Sequence, residues 1–212
     1  MPAGDNPWLA IPAADYEGHM GAAGVDQLRP LRDIFADVYA HTRPARLAVL
    51  GCGPGNGLDV VDPAVTRRVV GVDLNADYLA LARRRHAPLT GTAEWIRADV
   101  AACALDPAGF DLIHASLLFE YTDPATLLPR IAGWLAPGGV LSVVVQLPGG
   151  DAAISATGFA SLQTLTGLMA LVPPDRLRAL AAGAGLGETS SRDVPLARGK
   201  AFWAATFTRP RR

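Results

Sequence analysis

Short apolar runs recur along this chain and alternate with segments of helical periodicity. The runs, rich in valine, leucine and isoleucine, occupy residues 46–50, 68–74, 94–99, 110–116 and 140–146. Apolar residues repeat at intervals of three and four over 25–39, and further helical patterns cover 77–85, 124–135, 159–171 and 174–182. Strands that alternate with helices pair in parallel, and continuous apolar runs are typical of strands buried on both faces. The sequence therefore predicts an α/β fold: a doubly wound sheet with helices on both faces.

Two later extended runs, 188–194 and 201–208, differ from the first five. Only a short polar link, residues 197–200, lies between them. A link of this length has no room for a crossover helix, so we expect the two strands to form an antiparallel hairpin. The predicted sheet thus has seven strands: strands 1–5 are parallel, and the antiparallel hairpin forms one edge.

The length of the chain, 212 residues, suits one domain with a sizeable core. Its first twenty residues are rich in Pro, Gly and Asp and predict an irregular arm rather than a regular element. We expect a single domain, 1–212, with three parts: an N-terminal arm or lid over 1–24, a core over 25–148, and a helical insertion with the edge hairpin over 149–212.

Composition excludes several classes of function. With 19 basic and 20 acidic residues, the chain has no overall field to attract nucleic acid. Cys52 and Cys103 are far apart and have no CxxC partner or His cluster, so we expect neither a disulfide nor a metal site. The chain has no signal-like start and no apolar run of about 20 residues, which argues against membrane insertion and secretion. We expect a cytoplasmic protein.

A glycine-rich loop follows the first predicted strand. Its sequence, Gly51-Cys52-Gly53-Pro54-Gly55-Asn56-Gly57, lets backbone approach a ligand closely at the carboxyl edge of the sheet, and we expect a helix after it. The spacing does not fit the G-x-G-x-x-G dinucleotide fingerprint, because Asn56 and Leu58 stand where the last glycine belongs. The loop also lacks the Lys-Ser/Thr end of a phosphate-binding P-loop. It therefore indicates a nucleotide-type site of another kind.

Asp73 ends the second predicted strand, about 20 residues beyond the glycine loop. A carboxylate in this place can accept hydrogen bonds from both ribose hydroxyls of an adenosine ligand. A helix cap would be the structural explanation for a lone Asp. Together with the loop on the neighbouring strand end, Asp73 favours a ribose-binding site.

These segments resemble the class I S-adenosylmethionine-dependent methyltransferases, from Asp15 to Thr208. Residues 49–57 resemble the family's first motif, 70–74 its second-strand acid, 97–100 its adenine-binding segment, and 135–141 the turn before strand five. The family's Rossmann-like sheet has seven strands, the last antiparallel. The resemblance implies S-adenosylmethionine as cofactor and S-adenosylhomocysteine as product. The cofactor-binding residues that it implies are Tyr16, Gly51, Gly53, Gly55, Asp73, Leu74, Asp99, Val100 and Ala115.

By this resemblance the three glycines would face the methionine part of the cofactor, Asp73 the ribose, and Asp99 the adenine amino group. Leu74 and Val100 would lie against the adenine faces. Residues 15–20 resemble the N-terminal lid of many small-molecule methyltransferases, in which Tyr16 would close over the sulfonium through its ring.

The methyl acceptor should bind just past strand four, because ligands occupy the carboxyl ends of parallel strands. Glu120 is the leading catalytic candidate there, as a proton acceptor or a site for a cationic group. His19 in the arm is a second candidate base, and Phe159 and Met169 are candidate apolar walls. The chain lacks the Asn/Asp-Pro-Pro-Tyr/Phe motif of the family's amino-methylating branches after strand four, which favours a small-molecule acceptor.

Two other functions stay open at this stage. One is a non-catalytic protein that binds an adenosyl cofactor, because fold alone does not prove chemistry. The other is an NAD-type oxidoreductase, which the glycine spacing and the absence of a Tyr-x-x-x-Lys pair disfavour. The oligomeric state and the acceptor are not predicted.

Overall fold

The computed structural model describes residues 6–89, 91–150 and 152–211. Its helices are α1 (Ala13–Met20), α2 (Leu28–Thr42), α3 (Ala76–Arg85), α4 (Pro124–Trp134) and α5 (Pro174–Gly183). Its strands are β1 (Arg46–Leu50), β2 (Arg68–Asp73), β3 (Ala93–Arg97), β4 (Phe110–Ser116), β5 (Leu135–Gln146), β6 (Gly187–Pro195) and β7 (Ala201–Thr208).

All seven strands form one sheet in the order β3-β2-β1-β4-β5-β7-β6. Strands β1 to β5 pair in parallel, and β7 pairs antiparallel with both β5 and β6. The order reverses between β1 and β4, where a doubly wound sheet opens a crevice at the carboxyl ends of its strands. The predicted fold class and the edge hairpin are confirmed.

Alternate residues of β1 show how the two faces are filled. Leu47 and Val49 point into a core shared with Phe35 of α2 and Leu79 of α3. Ala48 and Leu50 point into the opposite core, which α4 and α5 cover. Because both faces of the sheet are buried, its central strands consist almost wholly of apolar residues, which is the pattern that the sequence displays.

Five local predictions differ from the structure in part. The first twenty residues are not an irregular arm throughout, because 13–20 form α1. The glycine loop leads only into the short 3-10 turn Leu58–Val60, and Pro63 soon follows it in the chain. The predicted helix at 159–171 is only the 3-10 turn Ala160–Leu165. The helix predicted at 25–39 begins at Leu28, and β5 begins at Leu135 rather than after the 137–139 turn.

The free cysteines Cys52 and Cys103 are both buried. Across the described ranges, no helix combines the length and the apolar character that a membrane span requires.

Candidate functional site

The glycine loop begins where β1 ends, at the reversal in strand order. Its turn is held by the Cys52 amide, which donates to the carbonyl of Val72 on β2 at 3.0 Å. The next amide, that of Gly53, donates to Asp73 Oδ2 at 2.8 Å. Gly53 has a φ of 53°, in the left-handed region that favours glycine. The loop and the acid at the end of β2 are therefore one hydrogen-bonded unit.

Asp73 is oriented by backbone amides on both of its oxygens. Oδ2 accepts from Gly53, and Oδ1 accepts from the amide of Asn75 at 2.9 Å. Burial raises the pKa of Asp73, and these backbone amides oppose the shift. A carboxylate oxygen has more than one lone pair, so a carboxylate fixed in this way can still accept from a ligand hydroxyl.

One large cavity opens beside this unit. Eight of the predicted site residues line it: Tyr16, His19, Gly51, Gly53, Asp73, Leu74, Asp99 and Val100. Three others are not part of its lining: Gly55, Ala115 and Glu120. The candidate wall residue Met169 also lines the cavity, whereas Phe159 does not.

The structure shows what Gly55 and Ala115 contact instead. The Gly55 carbonyl lies 2.9 Å from His86 Nε2 at the end of α3, and a Cβ at Gly55 would lie 2.7 Å from the same atom. Gly55 thus provides close packing between the loop and α3. Ala115 is fully buried in the core beneath the α4 and α5 side of the sheet. Their contact with a cofactor stays a prediction.

A chain of four aromatic side chains lines one wall of the cavity. Trp8 meets Tyr121 edge-to-face with ring centroids 5.1 Å apart, and it meets Tyr16 at 6.0 Å. Tyr16 in turn contacts Tyr78 of α3 at 5.7 Å. We call Tyr78, Tyr16, Trp8 and Tyr121 the aromatic wall. Sequence reasoning missed Trp8 and Tyr78, whose only signal was their position in the arm and near the end of β2.

Asn75 joins the N-terminal arm to the end of β2. Its Oδ1 caps α3 by accepting from the amides of Asp77 and Tyr78, and its Nδ2 donates to the carbonyl of Trp8 at 3.0 Å. Glu17 of α1 pairs with Arg85 of α3. The arm is therefore anchored on both sides of Tyr16.

Residues 152–171 also contribute to the lining of the cavity, and they pack against the arm. His19 Nδ1 lies 2.9 Å from Thr157 Oγ1, and Ser161 Oγ donates to Asp15 Oδ2 at 2.6 Å. Leu162 and Leu165 pack with Ile11 in a small apolar cluster. The two segments thus close over the sheet edge as one layer.

Gln146 at the end of β5 and Lys200 just before β7 also line the cavity near residues 152–171. Gln146 Nε2 and Lys200 Nζ both donate to the carbonyl of Ala153, at 2.9 Å and 3.0 Å. Both side chains are buried and both line the cavity. Lys200 is the sole lysine of the chain, a sequence signal that the site predictions did not use.

His19 is a neutral imidazole at the cavity surface. Burial lowers its pKa, and the nearby charge of Lys200 lowers it further. In the tautomer whose Nδ1–H donates to Thr157, Nε2 carries the lone pair and can accept a proton. The geometry of His19 therefore suits a general base.

Glu120 lies behind the cavity wall rather than on it. It is 1% exposed, and its Oε1 accepts from the backbone amide of Gln146 at 2.7 Å. Burial raises its pKa to about 7, and this backbone hydrogen bond opposes the shift. The next residue, Tyr121, belongs to the aromatic wall, so Glu120 supports the wall from inside.

Three buried oxygens have no hydrogen-bond partner among the described residues: Tyr78 Oη, Ser116 Oγ and Glu120 Oε2. Tyr78 and Ser116 both line the cavity. Unpaired buried polar atoms are costly and uncommon in native structures. The two hydroxyls are therefore unpaired polar groups of lining residues, and their oxygens are themselves buried.

Comparison with known proteins gives three results for this chain. A family model described as "Methyltransferase domain" matches residues 48–139. The chain is 40% identical, over 126 residues, to the trans-aconitate 2-methyltransferase of Rhodopseudomonas palustris (strain BisB18). That alignment covers 58% of this chain and 46% of the relative, so the chain spans about half the length of the curated relatives that it matches.

The fold has solved counterparts with low sequence identity. An S-adenosylmethionine-dependent methyltransferase from Mesorhizobium loti superposes with a TM-score of 0.64, at 21% identity over 77% of this chain and 90% of that one. The [4+2]-cyclase SpnF superposes with a TM-score of 0.70, at 15% identity over 90% of this chain and 85% of that one. A cyclase with this fold shows that the fold by itself does not fix the reaction.

Proposed function

We propose that the chain is a class I S-adenosylmethionine-dependent methyltransferase and that it transfers a methyl group from this cofactor to a small-molecule acceptor. The observation that carries the proposal is the juxtaposition of the glycine loop, Asp73 and Asp99 in the lining of one cavity. These residues come from three successive strand ends, where ligands of doubly wound sheets bind.

The cavity lining fits the chemical groups of S-adenosylmethionine. Asp73 offers carboxylate lone pairs to the ribose hydroxyls, and Leu74 and Val100 offer apolar contact to the adenine. The open backbone at Gly51 and Gly53 suits an amino-acid end that carries both an ammonium and a carboxylate. Tyr78 Oη and Ser116 Oγ are the buried hydroxyls that lack partners.

The cofactor, when bound, supplies a methyl group whose carbon–sulfur bond breaks with its electron pair staying on sulfur, as an acceptor lone pair forms the new bond in an in-line displacement. The protein's task is then to align the acceptor and exclude water. Tyr16 is suited to the sulfonium because its ring lies in the aromatic wall. Burial raises the pKa of Tyr16, so its phenol stays protonated at neutral pH.

We assign His19 the role of general base and Glu120 a positioning role. His19 lines the cavity and holds a neutral imidazole, so it can accept the proton that the acceptor nucleophile releases. Glu120 acts through Gln146 and Tyr121 because the cavity lining does not include it. Direct proton transfer to Glu120 would need a path through the wall.

A cytoplasmic location also stays a prediction.

Isothermal titration with S-adenosylhomocysteine, S-adenosylmethionine and NAD tests the proposal. We expect both adenosyl ligands to bind and NAD not to bind. Binding of NAD alone, or of no ligand, would overturn the proposal. Adenosyl binding together with a complete lack of methyl transfer to any small molecule would favour the non-catalytic alternative.

A further inference from the structure

The acceptor half of the cavity is largely apolar. We use this name for the part of the cavity that is lined by Tyr16 and Tyr121 of the aromatic wall and by side chains from residues 8–25, from the ends of β4 and β5, from residues 152–171 and from Lys200. The apolar ones are Trp8, Met20, Val25, Leu117, Ile154, Leu162, Leu165 and Met169. Sites with this lining bind ligands through apolar contact and use their few polar groups for orientation.

Charge is scarce in the same lining. The described lining residues contain one lysine, Lys200, and no arginine, while Asp73 and Asp99 contribute two acids. His19 adds no charge at neutral pH because its pKa is lowered. A bound cofactor with a sulfonium, an ammonium and a carboxylate would add a net positive charge and bring the cavity close to neutrality.

A polycarboxylate is poorly matched to such a cavity. Moving carboxylates out of water is costly unless each is paired, and proteins usually pair them with the two-pronged guanidinium of arginine. The relative from Rhodopseudomonas palustris is named for trans-aconitate, a tricarboxylate. The family match, 48–139, leaves out the arm and residues 152–171, which form most of the acceptor half. The methyl acceptor of this chain therefore need not be the one for which that relative is named.

The aromatic wall adds a shape preference. Trp8 and Tyr121 meet edge-to-face, with an angle of 87° between their planes, so the wall offers both ring faces and ring edges. Flat rings pack favourably on such surfaces in offset or edge-to-face arrangements. His19 Nε2 is the group in this half that is suited to accept a hydroxyl proton.

We propose that the acceptor is an uncharged molecule with an apolar ring and a hydroxyl nucleophile, and that the cavity rejects polycarboxylates. This inference rests on the proposed methyl transfer. The hydroxyl oxygen forms the bond to the methyl carbon, its proton passes to His19, and the cofactor leaves as S-adenosylhomocysteine. No further oxidant, reductant or metal is required.

Titration of the protein saturated with S-adenosylhomocysteine tests the inference without turnover. The probes are 2-naphthol, a naphthol of the same ring with one added carboxylate, and trans-aconitate. We expect 2-naphthol to bind and the carboxylate to weaken binding at least about tenfold, since a charge must be desolvated in a largely apolar half. We expect no binding of trans-aconitate.

A charge placed on the wall sharpens the test. Ile154→Arg is expected to reverse the preference between the two naphthols, whereas Ala156→Arg, on an exposed neighbour outside the cavity lining, should leave it unchanged. Failure of 2-naphthol to bind, or equal or tighter binding of trans-aconitate, would overturn the inference. Failure of S-adenosylhomocysteine to bind would instead overturn the proposed function, so the two failures are distinguishable.

Discussion

Different kinds of hydrogen bond hold the cofactor half and the acceptor half of the cavity in place. The cofactor half consists of strand ends and the turns that follow them, and main-chain amides orient its key side chain, Asp73. The acceptor half consists of two segments that meet mainly through side chains, such as His19 with Thr157 and Asp15 with Ser161. Main-chain hydrogen bonds of a buried sheet are less easily altered by substitution than side-chain pairs.

This difference separates the half of the cavity that binds the cofactor from the half that determines which acceptor is used. The family match covers the cofactor half, whereas the two main segments of the acceptor half, the arm and residues 152–171, lie outside it. Changes in the cofactor half should therefore affect binding of every adenosyl ligand. Changes in the acceptor half, apart from Tyr16, which we place beside the sulfonium, should affect only the acceptor and its proton.

The largest expected effect lies in the acceptor half, at His19. With a naphthol acceptor, His19→Gln should lower kcat roughly a hundredfold or more, because general base catalysis contributes about 10²–10⁴ in rate. The affinity for S-adenosylhomocysteine should not change. In the unmodified protein, kcat/KM should rise with pH around a midpoint below pH 6.5, since burial and then Lys200 lower the pKa of His19.

The control for this prediction is His41→Gln, on the exposed end of α2 and outside the cavity lining. Equal losses in the two variants would show that the effect is not a property of the site. A pH profile unaltered by His19→Gln would remove His19 as the base.

In the cofactor half, Asp73→Ala should weaken S-adenosylhomocysteine about tenfold to a hundredfold. Loss of a charged acceptor for two ribose hydroxyls costs roughly 1.5–3 kcal/mol. Titration calorimetry measures this directly, with Asp77→Ala, an exposed acid in the first turn of α3, as the matched control. Unchanged affinity in Asp73→Ala would mean that the two halves do not divide the ligands as we propose.

The same contrast explains what the sequence could predict. The strands and the strand-end acids are local patterns, so β-branched runs and Asp73 were enough to predict the sheet and the cofactor half. The contact between His19 and Thr157 spans 138 positions, and no local pattern encodes such a pairing. Helix α1 was missed because Ala13–Met20 has no apolar periodicity and depends on contacts with α3 and residues 152–171.

The equal spacing of the glycines does not distinguish their surroundings, for a related reason. Gly51, Gly53 and Gly55 look equivalent in sequence, yet a Cβ on Gly55 would meet His86 and one on Gly53 would lie 3.8 Å from Tyr16. Only the path of the chain decides which glycine lines the cavity and which packs against a helix. Glu120 shows the same limit, because sequence predicted its position after β4 but not that its side chain points inward.

Glu120 allows the wall of the acceptor half to be tested through stability. Its native pKa of about 7 lies above the ordinary value of 4.5, so it stabilises the fold fully below pH 4.5 and this contribution is lost as pH rises through 7. Between pH 5 and 8 the loss should be about 1–3 kcal/mol. Glu120→Gln should abolish this part of the pH dependence.

Denaturant unfolding at several pH values measures the free energy of unfolding for this comparison. Glu94→Gln is the control, since its side chain is 54% exposed. If the stability of Glu120→Gln falls between pH 5 and 8 as much as that of the unmodified protein, the carboxyl is not a neutral buried group and its support of the wall must be explained otherwise.

The smallest expected effect concerns the contact between the two segments of the acceptor half. Thr157→Val keeps the shape of the side chain but removes the hydroxyl that holds His19 Nδ1. A lost hydrogen bond of this kind is worth about 0.5–1.5 kcal/mol, so kcat/KM for a naphthol acceptor should fall severalfold while S-adenosylhomocysteine binds as before. Thr164→Val, on an exposed residue nearby, is the matched control. Because the hydroxyl is hydrogen-bonded to Nδ1, the nitrogen chemical shifts of the ring should also change; unaltered shifts together with a reduced rate would assign Thr157 to the general packing of the segment and not to the base.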